Sequence, residues 1–531
     1  MSIDTRNGTT MGTGADTGVA GTRGADEGSG TEVLIVGAGP TGLVLAIDLA
    51  RRGIRHRIVD RESRGFPGSR GTGLQPRSLE VFEDLGVLPA LLAAGGPCPP
   101  MMSWDGATRI GEWELVERAA PSPTVPYGEI LMLPQWRTVE ILGERLAELG
   151  GHVDYDTGLT DFAQDADGVT ATLTRADGGR ETLRAAYLVG TDGGRSTVRR
   201  ALGIDFEGEV VDPRPVLLAD AFVEGIERTH WHIWPTAPGG TLMLRPLEGV
   251  ETFQFMARFD ESGQEPDAER DGTSEALQRL LEERTGRTDL RVGAVTWAST
   301  FRARAAMAGR FREGRVFLAG DAAHVHSPAG GQGLNTSVQD GYNLGWKLDA
   351  VLRRSAPDAL LDTYDAERRE VAAGVLGLST RVHHRDQGGD GTGGRPRRGP
   401  ETHQLTIGYP TSPLTCELRR EVPEGAVRAG DRAPDAPCKD PAGATVRLFD
   451  AFCGPRFTLL AVGHEGGLPP VDDGLVRTCR VEGPAPDLRD PDGHVHDAYG
   501  SGLFLIRPDG YVGLATDDPA DVSAYLTAVG G

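Results

Sequence analysis

The chain has 531 residues, of which 38% are apolar and 25% are charged, and its formal net charge is −22. Because one hydrophobic core rarely grows beyond ~250–300 residues, we expect more than one domain. The apolar fraction excludes a largely disordered chain, and no run approaches the ~20 apolar residues that a membrane helix needs. The negative charge argues against binding to nucleic acid or to an anionic membrane surface, because both would repel it.

The N-terminal end and the cysteines give two further expectations. Residues 1–30 contain almost no large apolar side chain and no signal-peptide pattern, so we predict a disordered tail. The chain has five cysteines: Cys98, Cys416, Cys438, Cys453 and Cys479. They form no CxxC pair, and their odd number suits no disulfide framework. We therefore interpret them as reduced thiols and expect a cytoplasmic protein.

The first ordered segment predicts a strand, a glycine turn, a helix and a second strand. A β-branched run at residues 32–36 and another at 56–60 predict the strands, and helical spacing over 43–52 predicts the helix. The turn, residues 37–42, is Gly-Ala-Gly-Pro-Thr-Gly, a GxGxxG motif where it can bind a pyrophosphate at a helix start. Asp60 ends the second strand, where an acid accepts the ribose hydroxyls. This opening predicts a parallel sheet and a dinucleotide site.

Hydrophobic periodicity predicts the later elements. Helices are predicted at residues 79–85, 139–149 and 337–352, and buried strands at 169–173, 187–190, 316–319, 458–462 and 503–506. Residues 216–301 change to alternating, aromatic-rich runs, which predict an antiparallel sheet. Residues 386–402 are rich in Gly, Arg and Pro and predict a mobile loop or linker.

Two further segments favour FAD over NAD as the dinucleotide. Residues 187–199 predict a strand that leads to an Asp-Gly turn at Asp192, and residues 314–324 predict a strand that ends in Gly-Asp. The glycines of these segments leave room for a planar ring beside the backbone. Asp321 is placed to accept hydrogen bonds from ribityl hydroxyls.

The stretch from residue 328 to residue 335, Pro-Ala-Gly-Gly-Gln-Gly-Leu-Asn, predicts the wall beside the flavin ring. Its glycines permit backbone contact with the ring. Amides near Leu334 and Asn335, at a helix start, are suited to the anionic edge of the flavin. No side chain in this stretch is an obvious acid or base, so catalysis should depend on backbone electrostatics and on water exclusion.

These three motifs, in this order, resemble those of the class A single-component FAD-dependent aromatic monooxygenases, the group of para-hydroxybenzoate and phenol hydroxylases. The resemblance is strongest to the aromatic polyketide hydroxylases. It implies an α/β fold with a Rossmann-like FAD domain, an inserted antiparallel substrate sheet and a C-terminal thioredoxin-like domain. The implied division is a tail at 1–30, an FAD domain at 31–205 and 302–385, a substrate sheet at 206–301, a linker at 386–425 and a thioredoxin-like domain without CxxC at 426–531.

The resemblance also implies a reaction. NAD(P)H, with NADPH preferred, binds transiently and reduces FAD, and a flavin C4a-hydroperoxide formed with O2 hydroxylates an aromatic substrate, with a polycyclic polyketide favoured. Baeyer–Villiger oxygenation by the same peroxyflavin and a flavin oxidase or dehydrogenase without oxygen insertion stay open as alternatives. A homodimer is one option for the assembly, and no nucleic-acid or membrane partner is expected.

Family motifs carry over residue by residue. Asp60 and Arg61 match the acid and arginine at the adenosine end of FAD, while Arg70 and Gln135 match residues near its phosphate and ribityl chain. The predicted cofactor-binding set is Gly37, Gly39, Pro40, Thr41, Gly42, Asp60, Arg61, Arg70, Gln75, Gln135, Asp192, Gly320, Asp321, Pro328, Gly331, Gly333, Leu334 and Asn335. No catalytic side chain is assigned.

Two histidine-containing segments have structural interpretations as well as functional ones. His324 and His326 are interpreted as structural or pocket-lining residues, because a metal would need more ligands than the sequence offers. Residues 230–235, His-Trp-His-Ile-Trp-Pro, alternate between the two faces of a predicted strand. One face is a candidate lining for a substrate cleft, with ordinary packing as the alternative.

Overall fold

The computed structural model describes residues 30–260, 265–386, 395 and 397–529. The predicted disordered tail lies outside the described residues except for Gly30, and so does most of the predicted loop between residues 387 and 396. In the described ranges, no helix is both long enough and apolar enough to cross a bilayer.

The first sheet is built on the predicted strand–helix–strand opening, which is confirmed. Thr31–Val36 pairs in parallel with His56–Val59 and with Arg180–Gly190. The helix Pro40–Arg51 begins earlier than its apolar spacing indicates because Pro40, with its restricted φ, starts the first turn. Across this sheet the order is Arg312–Glu313, Val316–Leu318, Arg180–Gly190, Thr31–Val36, His56–Val59 and Val153–Asp154. Val169–Arg175 pairs antiparallel with Arg180–Gly190, and Thr157–Gln164 pairs antiparallel with Val169–Arg175.

Helices pack closely against this sheet. Gly333–Arg353 crosses Pro40–Arg51 at two glycines, where a Cβ would lie 2.8 Å from Thr41 O at Gly341 and 2.1 Å from Asp48 Oδ2 at Gly345. Only glycine permits this approach. The other helices before residue 400 are Pro76–Asp84, Leu88–Ala94, Gln135–Glu148, Thr197–Ala201, Ala268–Asp271, Ser274–Thr285 and Asp362–Asp386, with 3-10 turns at Gly320–Ala322, Ala329–Gly331 and Asp358–Leu361.

The middle sheet is mostly antiparallel. Its order is His324–Val325, Arg291–Ala308, Phe206–Glu224, Thr252–Arg258, Leu242–Pro246, Trp231–Trp234, Met101–Asp105 and Thr108–Trp113. The last two strands come from a distant part of the chain and pair through a parallel contact with Trp231–Trp234, which local pattern does not reveal. Within the stretch assigned to alternating strands, Ser274–Thr285 is instead a helix, because Leu277 and Leu281 pack together against one face of the sheet.

The C-terminal part forms a third sheet. Its order is Cys416–Glu417, Val512–Thr516, Gly502–Ile506, Phe457–Val462 and Val476–Val481. Its helices are Leu448–Phe452, His494–Tyr499 and Pro519–Ala528, and a 3-10 turn lies at Pro400–Thr402. A small sheet in this part pairs Pro437–Lys439 with Thr445–Arg447. Another small sheet, earlier in the chain, pairs Leu131–Met132 with Gly73–Leu74 and with Gly96–Pro97. The apolar core of the C-terminal sheet includes Trp346 of the helix Gly333–Arg353, whose ring packs edge-on against Phe457 with 5.6 Å between the ring centres.

Candidate active site

The glycine turn of residues 37–42 leaves one position open. Gly37 has φ +110°, and a Cβ there would lie 2.5 Å from Thr191 O. A Cβ at Gly42 would lie 2.0 Å from Gly37 O, so both glycines are required by the protein itself. Among the residues that the structure describes, and apart from its chain neighbours, no atom lies within 4 Å of the Cβ position of Gly39, which caps the helix that begins at Pro40. The open space at a helix N-terminus fits a pyrophosphate.

The acid predicted for the ribose lies beside this turn. Asp60 Oδ2 accepts a hydrogen bond from Ala38 N at 2.7 Å, and its Oδ1 accepts one from Glu62 N at 2.9 Å. Arg61 is exposed at the rim, with its Nε 3.3 Å from Glu62 Oε1. Thr191, which the sequence analysis did not single out, donates from Oγ1 to Gly37 O at 2.7 Å and holds the turn against the neighbouring strand.

The Asp-Gly and Gly-Asp segments are joined by an arginine that the sequence analysis missed as a site residue. Arg199 donates to Ala322 O and to Gly194 O, each at 2.8 Å, and its guanidinium lies 3.7 Å from the centre of the Phe206 ring. Asp192 Oδ2 accepts from Thr197 N at 2.6 Å and so caps a short helix. Its Oδ1 is buried and has no hydrogen-bond partner in the described part of the chain.

Asp321 presents an uncommitted carboxylate. Gly320 before it has φ +62°, and a Cβ there would lie 2.5 Å from Thr41 Oγ1. The Asp321 side chain is exposed, and no hydrogen bond joins its carboxylate to another residue that the structure describes. The surrounding protein removes enough water to raise its pKa, although the positive charges of His324 and Arg70 oppose this.

Arg70 lies against the middle sheet and is near enough to Asp321 for their charges to interact. Its Nη2 donates to Ser299 Oγ at 2.6 Å, and its guanidinium lies 5.8 Å and 6.0 Å from the ring centres of Phe66 and Trp297. Burial lowers the pKa of Arg70, while the negative charge of Asp321 acts in the opposite direction. Asp321 and the middle sheet therefore face the same side chain.

The predicted ring wall is hydrogen-bonded to the segment before the helix Pro76–Asp84. Gln75 N donates to Asn335 Oδ1 at 2.8 Å, and Gln75 Nε2 donates to Gly330 O at 3.0 Å. Asn335 Nδ2 donates to Gly73 O at 2.9 Å and to Gly331 O at 2.7 Å. Gly330 and Gly331 have φ +82° and +64°, which favour glycine, so the backbone itself forms this wall.

Four more predicted residues lie around the same wall. Gln135 Oε1 accepts from Gly71 N at 2.9 Å, and a Cβ at Gly71 would lie 2.9 Å from Leu334 Cδ1. Pro328 is exposed at the start of the 3-10 turn, and Gly333 is the first residue of the long helix. The structure thus brings Gln75, Gln135, Leu334 and Asn335 together from three distant stretches of sequence.

A buried chain of side chains supports the Gly-Asp turn from below. Asp340 Oδ2 accepts from Gly320 N at 2.9 Å and from His324 Nε2 at 2.7 Å, and its Oδ1 accepts from Arg368 Nε at 2.7 Å. Burial alone would raise its pKa, but the positive charges of His324 and Arg368 hold it at about 2. His326 lies 3.0 Å from His324, nitrogen to nitrogen. In the described ranges no group of His, Cys, Asp and Glu side chains is arranged to hold a metal ion.

A polar row crosses the middle sheet on the face that Arg70 contacts. Asp220 lies opposite Trp297 on one neighbouring strand and opposite Gln254 on the other, and Gln254 lies opposite Arg245. Arg245 Nη2 donates to Gln254 Oε1, and Gln254 Nε2 donates to Ser69 O, which adjoins Arg70. This row therefore faces the cofactor segments.

The charges in this row are only partly compensated. Burial raises the pKa of Asp220 to about 6, against the opposing effects of Ser69 and Arg245. Burial likewise lowers the pKa of Arg245 to about 10, and its guanidinium lies 4.6 Å from the centre of the Trp231 ring. A buried cation whose charge is incompletely balanced favours an anionic oxygen brought in by a ligand.

An apolar row lies beside the polar one. Ile233 pairs with Met243 and Met243 with Met256, and all three side chains are partly exposed. They stand two residues from Trp231, Arg245 and Gln254 along their strands, so they share that face. On the opposite face His232 accepts from Trp104 Nε1 at 3.1 Å in ordinary packing. Alternation thus places Trp231 and Ile233, from one face of the 230–235 segment, on the same face as the polar row.

Comparison with known proteins adds to this geometry. A family model described as an FAD binding domain matches residues 30–379, and one described as the C-terminal part of aromatic-ring hydroxylases matches residues 426–531. The chain is 44% identical over 509 residues to a flavin-dependent monooxygenase of Mycobacteroides abscessus, covering 94% of this chain and 99% of the relative.

Two further similarities concern a monooxygenase and a hydroxylase that are named for their substrates. The chain is 35% identical to 6-methylpretetramide 4-monooxygenase of Streptomyces rimosus, covering 94% of this chain and 93% of that protein. The crystal structure of aklavinone-11 hydroxylase with FAD and aklavinone aligns with a TM-score of 0.78 at 29% identity, covering 94% of this chain and 99% of that one. The likeness therefore spans all three sheets.

Proposed function

Because the chain belongs to the family of FAD-dependent aromatic-ring hydroxylases, we propose that it hydroxylates an electron-rich, polycyclic aromatic substrate of the polyketide type. It is an FAD-dependent monooxygenase. The observation that carries the proposed substrate class is the partly exposed apolar row beside a buried arginine, on the sheet face that Arg70 joins to the cofactor segments. NAD(P)H is the electron donor, as is typical of the family.

The residues present fit FAD. The space above Gly39 and the helix N-terminus suits the pyrophosphate, with Asp60 for the adenosine ribose and Arg61 at the rim. The uncommitted carboxylate of Asp321 suits the ribityl hydroxyls. We assign Arg70, Gln75, Gln135 and the backbone from Pro328 to Asn335 to the ribityl and ring portions. When bound, FAD supplies electron transfer from NAD(P)H and the activation of O2.

The protein's own part is to orient the substrate and to exclude water. We assign Ile233, Met243 and Met256 to the flat apolar surface of the substrate rings. The guanidinium of Arg245 addresses a hydroxyl or phenolate oxygen of the substrate, because a negative charge there would balance a buried cation. An oxygen held as phenolate raises the electron density of the ring at the positions to be hydroxylated.

An Arg245→Met variant is expected to raise KM for the aromatic substrate at least about 10-fold, the effect of losing one charge-assisted contact. The matched control is Arg284→Met. Arg284 is also buried with a pKa lowered to about 10 by burial and stacks on Phe259, but it lies on the helix that covers the other face of the sheet. Steady-state kinetics with FAD saturating would contradict the assignment if both variants changed KM equally.

Asp220→Asn is expected to change how stability depends on pH. The folded-state pKa of about 6 lies above the ordinary 3.8, so the contribution of Asp220 to stability is full below pH 3.8 and is lost as the pH rises through 6. Integrated over this rise, the loss is about 3 kcal/mol. Urea unfolding of both proteins at pH 4 and pH 8 measures it: the stability of the wild type relative to Asp220→Asn should fall between the two values, and an unchanged difference would contradict it.

The reaction type is tested with labelled oxygen. Incubation with 18O2, NADPH and a panel of polycyclic phenols should give a phenolic product that carries one 18O atom, with NADPH oxidation stimulated by substrate. A ring-expanded ester or lactone would instead identify Baeyer–Villiger oxygenation. Product without label, or peroxide formation with an oxidised substrate, would identify an oxidase or dehydrogenase and overturn the proposal.

We also propose the domain division predicted from the sequence, with an FAD domain at 31–205 and 302–385, a substrate sheet at 206–301 and a thioredoxin-like domain at 426–531. The strands support this with some adjustments. The substrate sheet also takes in Met101–Asp105, Thr108–Trp113 and His324–Val325, and Arg291–Ala308 continues past residue 301. The C-terminal sheet also takes in Cys416–Glu417, which lies in the predicted linker.

A further inference from the structure

The turn between the strands Gly502–Ile506 and Val512–Thr516 of the C-terminal sheet places the buried charge of Arg507 against the helix Asp362–Asp386. Arg507 donates from Nη1 and Nη2 to the two carboxylate oxygens of Glu367, at 2.7 Å and 3.0 Å, and from Nε to Asp509 Oδ1 at 2.9 Å. All three side chains are buried, each with 2% or less of its surface exposed. Such a bidentate pair is rigid, and losing either partner would strand a buried charge.

The long helix Gly333–Arg353 joins the same cluster. Lys347 Nζ donates to Glu367 Oε2 at 2.7 Å, and Asn343 Nδ2 donates to Glu367 Oε2 at 2.8 Å and to Asp509 Oδ2 at 2.9 Å. Although burial would raise the pKa of Glu367, the charges of Arg507 and Lys347 hold it well below its usual range. The C-terminal turn is thereby tied to the helix whose first residue belongs to the ring wall.

The contacts continue from this cluster to the ribityl segment. Arg368, next to Glu367 on its helix, donates from Nη1 to Tyr409 OH at 2.9 Å, and Asn343 lies 3.5 Å from the same hydroxyl. Through its Nε, Arg368 reaches Asp340, which in turn accepts from Gly320 N. Described residues therefore connect Arg507 to the backbone immediately before Asp321 without a gap.

The same turn also holds a second element of the candidate site. Arg77 donates from Nη2 to Asp509 O at 2.8 Å, and its guanidinium lies 4.8 Å from the centre of the Tyr511 ring. Arg77 is in the first turn of the helix Pro76–Asp84, two residues after Gln75. Gln75 itself is hydrogen-bonded to the ring wall. The helix Pro76–Asp84 thus contacts the C-terminal turn from its first turn, through Arg77, and the helix Gly333–Arg353 contacts it further along, through Asn343.

We propose that the turn Arg507–Tyr511 is a positioning element for FAD: through Glu367, Asp340 and Arg77 it sets the place of the ring wall and of the Gly-Asp turn. The inference rests on the proposed FAD site. It gives the C-terminal unit, which has no CxxC pair, a role in cofactor binding. Arg507 and Asp509 act through other residues, so their effect is on affinity and geometry and not on the chemistry itself.

The test uses the full chain, freed of flavin and titrated with FAD. Arg507→Met and Asp509→Asn are expected to weaken FAD binding at least about 10-fold, with Arg507→Lys intermediate because it keeps the charge and loses the bidentate geometry. The visible circular dichroism of bound flavin should also change, since this signal reports how the protein surrounds the ring. Titrations are run well below the thermal midpoint of each variant, so that global unfolding does not contribute.

Arg419→Met is the matched control. Arg419 is buried in the same C-terminal unit, where it donates to Glu417 Oε1 at 2.8 Å and to Tyr499 O at 3.0 Å, away from the network. It should lower the thermal midpoint while leaving FAD affinity within about twofold. If Arg507→Met fails to fold, Asp509→Asn and Arg507→Lys decide the question.

The possible results separate this inference from the proposed function. FAD affinity and flavin dichroism that stay as in the wild type in the Arg507 and Asp509 variants, or that change no more than in Arg419→Met, would overturn the positioning role. A wild-type apoprotein that does not bind FAD at all would instead overturn the proposed cofactor site. Weakened binding with a shifted flavin signal in the network variants alone supports the inference.

Discussion

A Gly39→Val variant is expected to fold like the wild type and to bind FAD at least about 100-fold more weakly, or about 2.8 kcal/mol at 1.4 kcal/mol per factor of ten. Apart from its chain neighbours, no described residue has an atom within 4 Å of the Cβ position, and the backbone there has φ −72° and ψ 179°, which valine adopts readily. The new side chain therefore meets no other described residue and occupies the space assigned to the pyrophosphate.

Other glycines of the site test this less cleanly. Gly42→Val would clash with Gly37 O, and Gly331→Val would force valine into φ +64°, so both would disturb the fold as well as the cofactor. Gly143→Val is the matched control, because Gly143 also has open space around its Cβ position but lies on the helix Gln135–Glu148. FAD titration and thermal unfolding of both variants check the result. Equal FAD affinity in Gly39→Val and in the wild type would show that the pyrophosphate lies elsewhere.

Asp340→Asn is expected to lower the free energy of unfolding by about 3–5 kcal/mol, the usual effect of removing one partner of a buried ion pair. The carboxylate accepts from Gly320 N, His324 Nε2 and Arg368 Nε, and an amide cannot accept on both of its atoms. Because Gly320 precedes Asp321, FAD affinity should fall too. Asp161→Asn, at an exposed position on the strand Thr157–Gln164, should stay within about 0.5 kcal/mol of the wild type.

The same carboxylate predicts the sign of a pH effect. Its folded-state pKa of about 2 lies below the ordinary 3.8, so its stabilisation is present above pH 3.8 and is lost as the pH falls through 2. The advantage of the wild type over Asp340→Asn in urea unfolding should therefore shrink by about 2 kcal/mol between pH 7 and pH 2. An advantage that stays constant over this range would show that folding does not lower the pKa of this carboxyl.

Local sequence was sufficient for the parts of the site that are contiguous in the chain. The GxGxxG turn, the strand that ends at Asp60 and the Gly-Asp turn each combine a hydrophobic period with glycines at fixed offsets. Steric demands within a few residues decide such turns: Gly42 must be glycine because of Gly37, only five positions away. The βαβ opening, the long helix after the glycine-rich wall and the family follow from the same short-range information.

Long-range pairings were decided by the tertiary structure. The row of Asp220, Gln254 and Arg245 draws one residue from each of three strands, and alternation alone predicts that each strand has a polar face but not that these residues are neighbours. Arg199 and Thr191 lie inside quoted motifs, yet their roles appear only when the strands are paired. Strand register depends on packing over the whole face of a sheet, which a local pattern does not contain.

The division is sharpest at the C-terminal turn. The sequence by itself is sufficient to place a turn after the strand predicted at residues 503–506, because Pro, Asp and Gly at residues 508–510 have intrinsic turn preferences. That Arg507 of this turn meets Glu367, 140 residues earlier in the chain, was decided only by the tertiary structure. A buried arginine needs an anionic partner in the folded protein, because leaving its charge unpaired in the interior would cost several kcal/mol. Its partner is thus set by how the three sheets pack together and not by any residue near it in sequence.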